Sequence, residues 1–528
     1  MIKRSNFILF CSAILLSFTL RAQVGIVPIQ HYYSNQIENQ FSDSLYKPIS
    51  IRPFINNNPL NYKPIDTLRL SGGKWLQSVQ SRGWLNYNHK IFSLHINPLM
   101  QLSLGNEFQE KTFYNNIRGI QGYGYIGSTL FFHTAYYESQ SIFPDYLQSF
   151  VADTGIVPGQ GRVKGLVNNK SFDYGWAESV LMYKPNDRID ISFGHNKNHI
   201  GFGYRSMLLS DNTVPYLNLR INAHFGRVHY TVIYAALNNF QRGPVLSRGY
   251  DKKYFSAHYL NFFPHKNLEI GLFETVIWPG ADSTGYRGFD VNYLNPVIFY
   301  HATQNYLGSP DNSMIGMNIR YRPLKDLHVY GQFLLDDLDI DRSTQRGFYR
   351  NKTAMQAGIK WFNTFGIKQL ITRFELNQAQ PYTYAHKIPA QNYTAMQQPL
   401  AHPLGANFRE FHFSAFYEKK RWSADMLLTY AQVGKDIENS HVGNNIFISD
   451  FLIPGFPRSY DNVLLQGLKT EIIHAQFALH YLLLPVNRTT VDIIYNYHLA
   501  NNVLIGEVVS NFISFGIRTN LFNNYQDF

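Results

Sequence analysis

His195 and His199 stand four residues apart, the separation at which two imidazoles on one helical face can hold zinc. Asn196, Lys197 and Asn198 lie between them, so no acidic residue is placed to act as a base. The pair also leaves an alternating stretch and runs into Gly201 and Gly203, which makes these loop histidines. Asp337, Asp339 and Asp341 have the alternate spacing of the first ligands of a calcium loop, but the turn glycine and closing glutamate are missing. They read as an acidic strand end paired with Arg342 or Arg346. A serine hydrolase needs a shaped serine turn, and no glycine-flanked serine elbow occurs among the 19 histidines and many carboxylates. Phosphate-loop and dinucleotide motifs are absent as well. The expectation is a protein that is not an enzyme and takes no metal or cofactor. One group of residues has the chemistry of recognition. Tyr382, Tyr384, Gln391, Asn392 and Tyr393 combine aromatic faces with amide hydrogen bonds, the pairing that sugar recognition needs and that any folded polar loop also contains. Tyr382, Tyr384, Asn392 and Tyr393, with Asp311 and Asn312, are the candidate contacts for a glycan or a protein partner.

The elements that carry these residues are strands. Ile189, Ile191 and Phe193 alternate with Asp190 and Ser192, and Val491, Ile493, Tyr495 and Tyr497 alternate with Thr490, Asp492, Asn496 and His498. A polar face of Asp, Asn and His suits a wet lumen better than a packed core. Short turns near Tyr125, Pro185, Gly226, Pro264, Pro323, Asn363, Glu418 and Pro485 alternate with nine longer polar stretches, at 105–115, 139–172, 197–212, 237–252, 279–313, 337–352, 378–407, 432–469 and 499–508. Tight turns at one end and long loops at the other are the asymmetry of an outer-membrane barrel. Nine long and eight short connections imply an all-β, closed antiparallel transmembrane barrel of about 18 strands over residues 91–528. Within 279–313, Val297 to Tyr300 reads either as a strand or as part of a folded loop.

The ends and the composition agree. Lys3 and Arg4 precede an apolar run from Phe7 to Leu20 and a small residue at Ala22, which reads as a cleaved signal peptide over 1–22. Cys11 is the single cysteine and falls inside it, so no disulfide is expected. Residues 23–90 lack alternation and read as a small periplasmic or plug segment with a short helix near Trp75 to Tyr87. Ile513, Phe515, Ile517, Thr519 and Leu521 alternate up to a chain end at Phe528, similar to the aromatic-terminated strand that the barrel assembly machinery reads. Phe and Tyr number 40 and 37, at a mean hydropathy of −0.24, as expected where only alternate residues face lipid. The formal charge of +11 is scattered, which argues against a nucleic-acid surface and is compatible with outer-membrane lipid and lipopolysaccharide.

Two stretches resemble a known family. GHNKNHIGFGYRSMLLSDNTVPYLNLRINAHFG, Gly194 to Gly226, is similar to the signature of Wzi-like capsule assembly proteins, with Phe202 where the family usually has tryptophan. YLNPVIFYHATQNYLGSPDN, Tyr293 to Asn312, with YGQFLLDDLDID, Tyr330 to Asp341, and the ending FGIRTNLFNNYQDF, Phe515 to Phe528, look like the Bacteroidota branch that includes RemB-like gliding-motility proteins. The resemblance implies an 18-stranded barrel with an N-terminal periplasmic part, acting as a surface lectin for capsular polysaccharide. It carries over no binding residue. A gliding or secretion accessory that binds surface adhesins, and a diffusion channel, are the alternatives.

Overall fold

The computed structural model describes residues 25–26, 29–42, 46–56, 83–108, 111–168, 170–240, 249–282, 285–297, 308, 311–337, 341, 345–438, 440–450, 458–485, 487–519, 523 and 525–528. Among them, eighteen long antiparallel strands close into one barrel in strict sequence order. They are β1 Phe92–Glu107, β2 Lys111–Ile126, β3 Leu130–Ile142, β4 Ser171–Tyr183, β5 Ile189–Asn196, β6 Tyr216–Phe225, β7 Val228–Asn239, β8 Asp251–His265 and β9 Leu268–Pro279. The wall continues with β10 Asn312–Leu324, β11 Leu327–Asp337, β12 Lys352–Phe362, β13 Leu370–Ala379, β14 Phe408–Lys419, β15 Trp422–Lys435, β16 Leu468–Leu484, β17 Thr489–Asn502 and β18 Gly506–Arg518. Pairing of β18 with β1, from Arg518 opposite Gln101 to Phe512 opposite Glu107, shuts the ring and removes the free edges.

The wall is apolar outside and polar inside. Ile473, Phe477, Ile493, Ile513 and Phe515 are exposed on its outer surface, while Glu410, His412, His474, Asp492 and His498 are buried. A soluble barrel would show the opposite distribution, so the outer surface faces lipid. Among the described residues no helix is long and apolar enough to cross a membrane; the strands cross instead.

The short connections gather at one end, including 226–227, 266–267, 325–326 and 420–421, and the long ones at the other. Two long stretches contract. The connections expected at 105–115 and 499–508 are the spans 108–110 and 503–505, because β1, β2, β17 and β18 run on through polar residues. Glu107, for example, is a buried strand residue whose carboxylate accepts from Ser510 rather than a loop residue. Of Val297 to Tyr300, only Val297 is among the described residues.

The ends differ from expectation more. The helix expected near Trp75 to Tyr87 falls largely outside the described residues, and Leu85–His89 is a strand paired with the start of β1. Alternation of Leu85 and Tyr87 with Asn86 and Asn88 accounts for this. The N-terminal helix is α1, His31–Ser42. At the other end the last strand stops at Arg518 and Phe528 is not in the wall. The tail turns into the lumen, where Asp527 finds buried Arg205, a pairing unavailable on the lipid face.

Candidate functional site

Among the described residues, four pieces of chain occupy the lumen: the N-terminal segment, 29–42 with α1 and 46–56, the connection 197–215, the connection 380–407 and the C-terminal tail. Polar residues on the inner wall hold each of them. From α1, Glu38 meets Lys360 of β12 at 2.5 Å, and Tyr32 donates to Glu418 of β14 at 3.1 Å. Burial works against the Glu38 carboxylate, but Lys360, Arg52 and Arg373 outweigh it and hold its pKa below the ordinary value. Further along, the Ser50 hydroxyl donates to Glu269 of β9 at 2.8 Å.

Arg52 joins this segment to the connection 197–215. One of its amino groups donates to the carbonyls of Gly201 and Gly203 and to Nε2 of His199 at 2.9 Å. The two glycines are required here. Gly201 has φ 149°, and a Cβ at Gly203 would lie 2.7 Å from the Arg205 carbonyl and 2.8 Å from Glu375. An arginine only donates, so His199 Nε2 accepts and its proton sits on Nδ1, which donates to Asp211 at 3.2 Å. Burial, aided by Arg52, pushes the His199 pKa down to about 4.

Asp211 and Arg205 take hold of the tail. Asp211 also accepts from Asn523 and Tyr525, at 3.0 and 2.7 Å. Arg205 bridges Asp527 at 2.8 Å and Glu410 of β14 at 3.3 Å. Burial opposes ionisation of both groups, yet their partners win: Asp211 stays well below the usual carboxylate range and Arg205 well above its ordinary value. Charges removed from water this completely persist only as mutually satisfied networks.

Above this plug the outer connections lock into a dome, and the candidate recognition residues are its frame. Tyr384 and Tyr393 donate through their hydroxyls to the carbonyls of Met207 and Leu208, at 2.8 and 2.7 Å, tying the dome to the lumen segment. Tyr382 donates to the His441 carbonyl at 2.8 Å, and the Asn392 side chain donates to the Ile446 carbonyl. Buried Lys253 of β8 donates to the Asn392 carbonyl at 2.8 Å and to Thr394 at 2.9 Å. Asp311 takes both arms of Arg287 at 2.7 Å and the hydroxyl of Tyr293, and Gln391 links it and Asn312 to the same loop. All six candidates are buried, the four on 382–393 at 1% exposure or less. The structure therefore brings them together, but with their polar atoms turned to the protein.

The other candidates separate. His195 ends β5 while His199 lies in the plug, and among the described residues no three histidine, cysteine or acidic side chains converge as a metal site. Asp337 pairs with Arg350, because β11 and β12 place Asp337 and Lys352 opposite each other; Arg342 lies outside the described residues. Asp336 accepts from the Tyr384 backbone at 2.6 Å. Sequence reasoning missed Arg52, Arg205, Asp211, Glu410 and Asp527. Their signal was present as charges, Glu410 on a lumen-side strand position, Arg205 and Asp211 inside the Gly194 to Gly226 stretch, and Arg52 and Asp527 in the two end segments, but a charge alone does not name its partner.

The family model of the capsule assembly protein Wzi matches residues 186–449, which contain most of the plug and dome. Comparison with curated protein sequences found no match. Among solved structures the chain is similar to Wzi of Escherichia coli, described as an outer membrane protein involved in group 1 capsule assembly and a carbohydrate-binding β-barrel. Identity is 13%, the match covers 94% of this chain and 100% of that one, and the TM-score is 0.55. OccAB2 of Acinetobacter baumannii matches at 11% identity over 83% of this chain and 100% of its own, with a TM-score of 0.43. At 13% identity the likeness to the Escherichia coli barrel is one of fold. The family model spans half of the chain, and the protein belongs to the Wzi capsule assembly family.

Proposed function

We propose that this protein is a non-enzymatic outer-membrane barrel whose outer dome binds surface polysaccharide and holds it on the cell. One observation carries the reading: the plug and the tail brace the lumen, so the dome is a rigid surface presented outward. Its inner residues are spent on rigidity, and its outer surface exposes aromatic side chains. Tyr286 is 80% exposed, and Tyr460, which packs against Phe348, keeps 40% of its surface exposed, each on a different long connection. Such faces suit the apolar side of a sugar ring, and a rigid dome avoids the entropic cost of ordering loops on binding. The description of the Escherichia coli relative as carbohydrate-binding supports the same reading.

The remaining assignments follow from the residue patterns. They comprise a signal peptide over 1–22, a periplasmic or plug segment over 23–90, folding by the barrel assembly machinery, and a setting of outer-membrane lipid and lipopolysaccharide. The motif likeness at Tyr293 to Asn312 supports membership of the Bacteroidota branch associated with gliding. The test is binding of surface polysaccharide, extracted from the source cells, to the purified barrel. Tyr286→Ala combined with Tyr460→Ala should weaken binding at least several-fold with no change in thermal unfolding. Equal binding by the wild type and the double variant would remove the dome from the proposal. Absence of any binding, with surface adhesins retained instead, would favour a protein partner.

A further inference from the structure

The plug does not fill the lumen evenly. It is anchored mainly to β5 to β14, and along the inner face of β14 to β18, β1 and β2 a cavity of about 290 Å³ remains. That is close to the lower size of small-ligand pockets. Its lining runs from Arg488 and Thr490, beside a short connection, to Phe113, Phe143 and Pro144 near the long ones, so it follows most of the wall's height.

Its chemistry is that of a wet interior. Gln101, Asn115, Gln476 and Asn496 line the wall side. His474 and Asp527 are at least nine-tenths buried, and the Nδ1 of one, the Oδ1 of the other and the Oε1 of Gln101 have no partner within the protein. Buried polar atoms left open in this way need water or a hydrated solute beside them. An 18-stranded wall is wide enough to hold an aqueous path unless something blocks it.

The block at the outer end can be identified. The connection 143–170 folds inward, and its helix α2, Asp145–Thr154, buries Leu147 and Val151 against Phe143, Phe172 and Trp176. The C-terminal tail completes this apolar stopper. The ring of Phe528 meets that of Phe150 edge-on at 5.0 Å, and the Tyr146 hydroxyl donates to the Gln526 carbonyl at 2.8 Å. The tail thus touches α1 through Asn523, the central plug through Tyr525 and Asp527, and α2 through Gln526 and Phe528. It is the one strap among the described residues that joins all three.

We infer that the barrel contains a second activity, passage of small hydrophilic solutes along this cavity, and that its own C-terminal tail keeps the passage shut. The inference does not depend on polysaccharide binding. It is tested on the full barrel in planar bilayers with potassium chloride and in liposomes with glucose as the probe solute. Wild type should give no step currents and no swelling. A chain lacking residues 523–528 should give both, and adding Asn496→Trp to it should suppress them by filling the cavity. Heat-modifiable mobility on gels shows whether each variant has folded. If the shortened chain fails to fold, Phe528→Ala with Tyr146→Phe removes the stopper contacts alone and should open the same currents. A silent but folded tail variant, a wild type that already conducts, or currents that Asn496→Trp leaves untouched would each overturn the inference.

Discussion

Arg52 donates to Nε2 of His199 across 2.9 Å, although the two residues are 147 positions apart. That bond keeps the histidine neutral, and the neutral histidine donates its one N–H, on Nδ1, to Asp211, which holds the tail. The N-terminal segment, the central plug and the C-terminal tail are therefore joined through one imidazole.

The joint should be sensitive to acid. A free histidine takes up a proton near 6.5, whereas His199 does so at about 4, because burial and Arg52 oppose the charge. Between those values the unfolded chain binds more protons than the folded one, so the contribution is complete above 6.5 and is lost as pH falls toward 4. The slope is about 1.4 kcal/mol per pH unit for this group. Buried His31 and His402 are depressed in the same direction and add to it. Thermal unfolding of the purified barrel should drop over this window, and His199→Gln should flatten the drop. An unfolding temperature that is constant across the window would count against the assignment.

Glu38→Ala should be costly. It leaves Lys360 fully buried with its carboxylate removed, and breaking one side of such a pair costs about 3–5 kcal/mol. Urea unfolding measures the loss. Lys360→Met on the same background should recover part of it, and failure to recover would mean that lost packing, not the orphaned charge, dominates.

Gly358→Val tests the inner wall. A Cβ at Gly358 would lie 2.4–2.6 Å from the ring of Tyr330, whose hydroxyl donates to Glu375 at 2.6 Å. The ring must leave that strand surface, at a typical overpacking cost of about 1–3 kcal/mol. Tyr330→Phe should cost less. If Gly358→Val is neutral, the ring is not held where the structure puts it.

Topology is open to labelling. In a Cys11→Ser background, cysteine at exposed Asp153 or Glu438 should react with an impermeant maleimide on intact cells. Cysteine at Asp187 or Lys420, on the short-turn end, should react only after lysis. The reverse pattern would invert the orientation.

The wall was legible in the sequence because its two environments differ in chemistry at a period of two, as at Thr490 to His498. Loop lengths then supplied the strand number. The pattern failed at Glu107, where lumen and loop look alike, since both are polar. It failed again at Phe528, where an aromatic residue that suits a lipid-facing strand is used inside. The residues at Tyr382 to Tyr393 do come together in the structure, because aromatic and amide residues share one long loop. Whether a tyrosine hydroxyl points to a ligand or to the carbonyl of Met207, 177 positions away, depends on long-range pairing that local composition does not encode.

The placement of the tail has a consequence for biogenesis. Arg205 and its partner Asp527 are 322 positions apart, and the whole run of strands β6 to β18 is synthesised between them. Until the segment that carries Asp527 and Phe528 follows β18 into the lumen, the guanidinium at the centre of the barrel lacks one of its two carboxylates, and Phe150 of α2 lacks the ring that meets it. A chain interrupted just after Arg518 would therefore carry every wall strand and an unfinished interior, so the wall can close before the centre is neutralised.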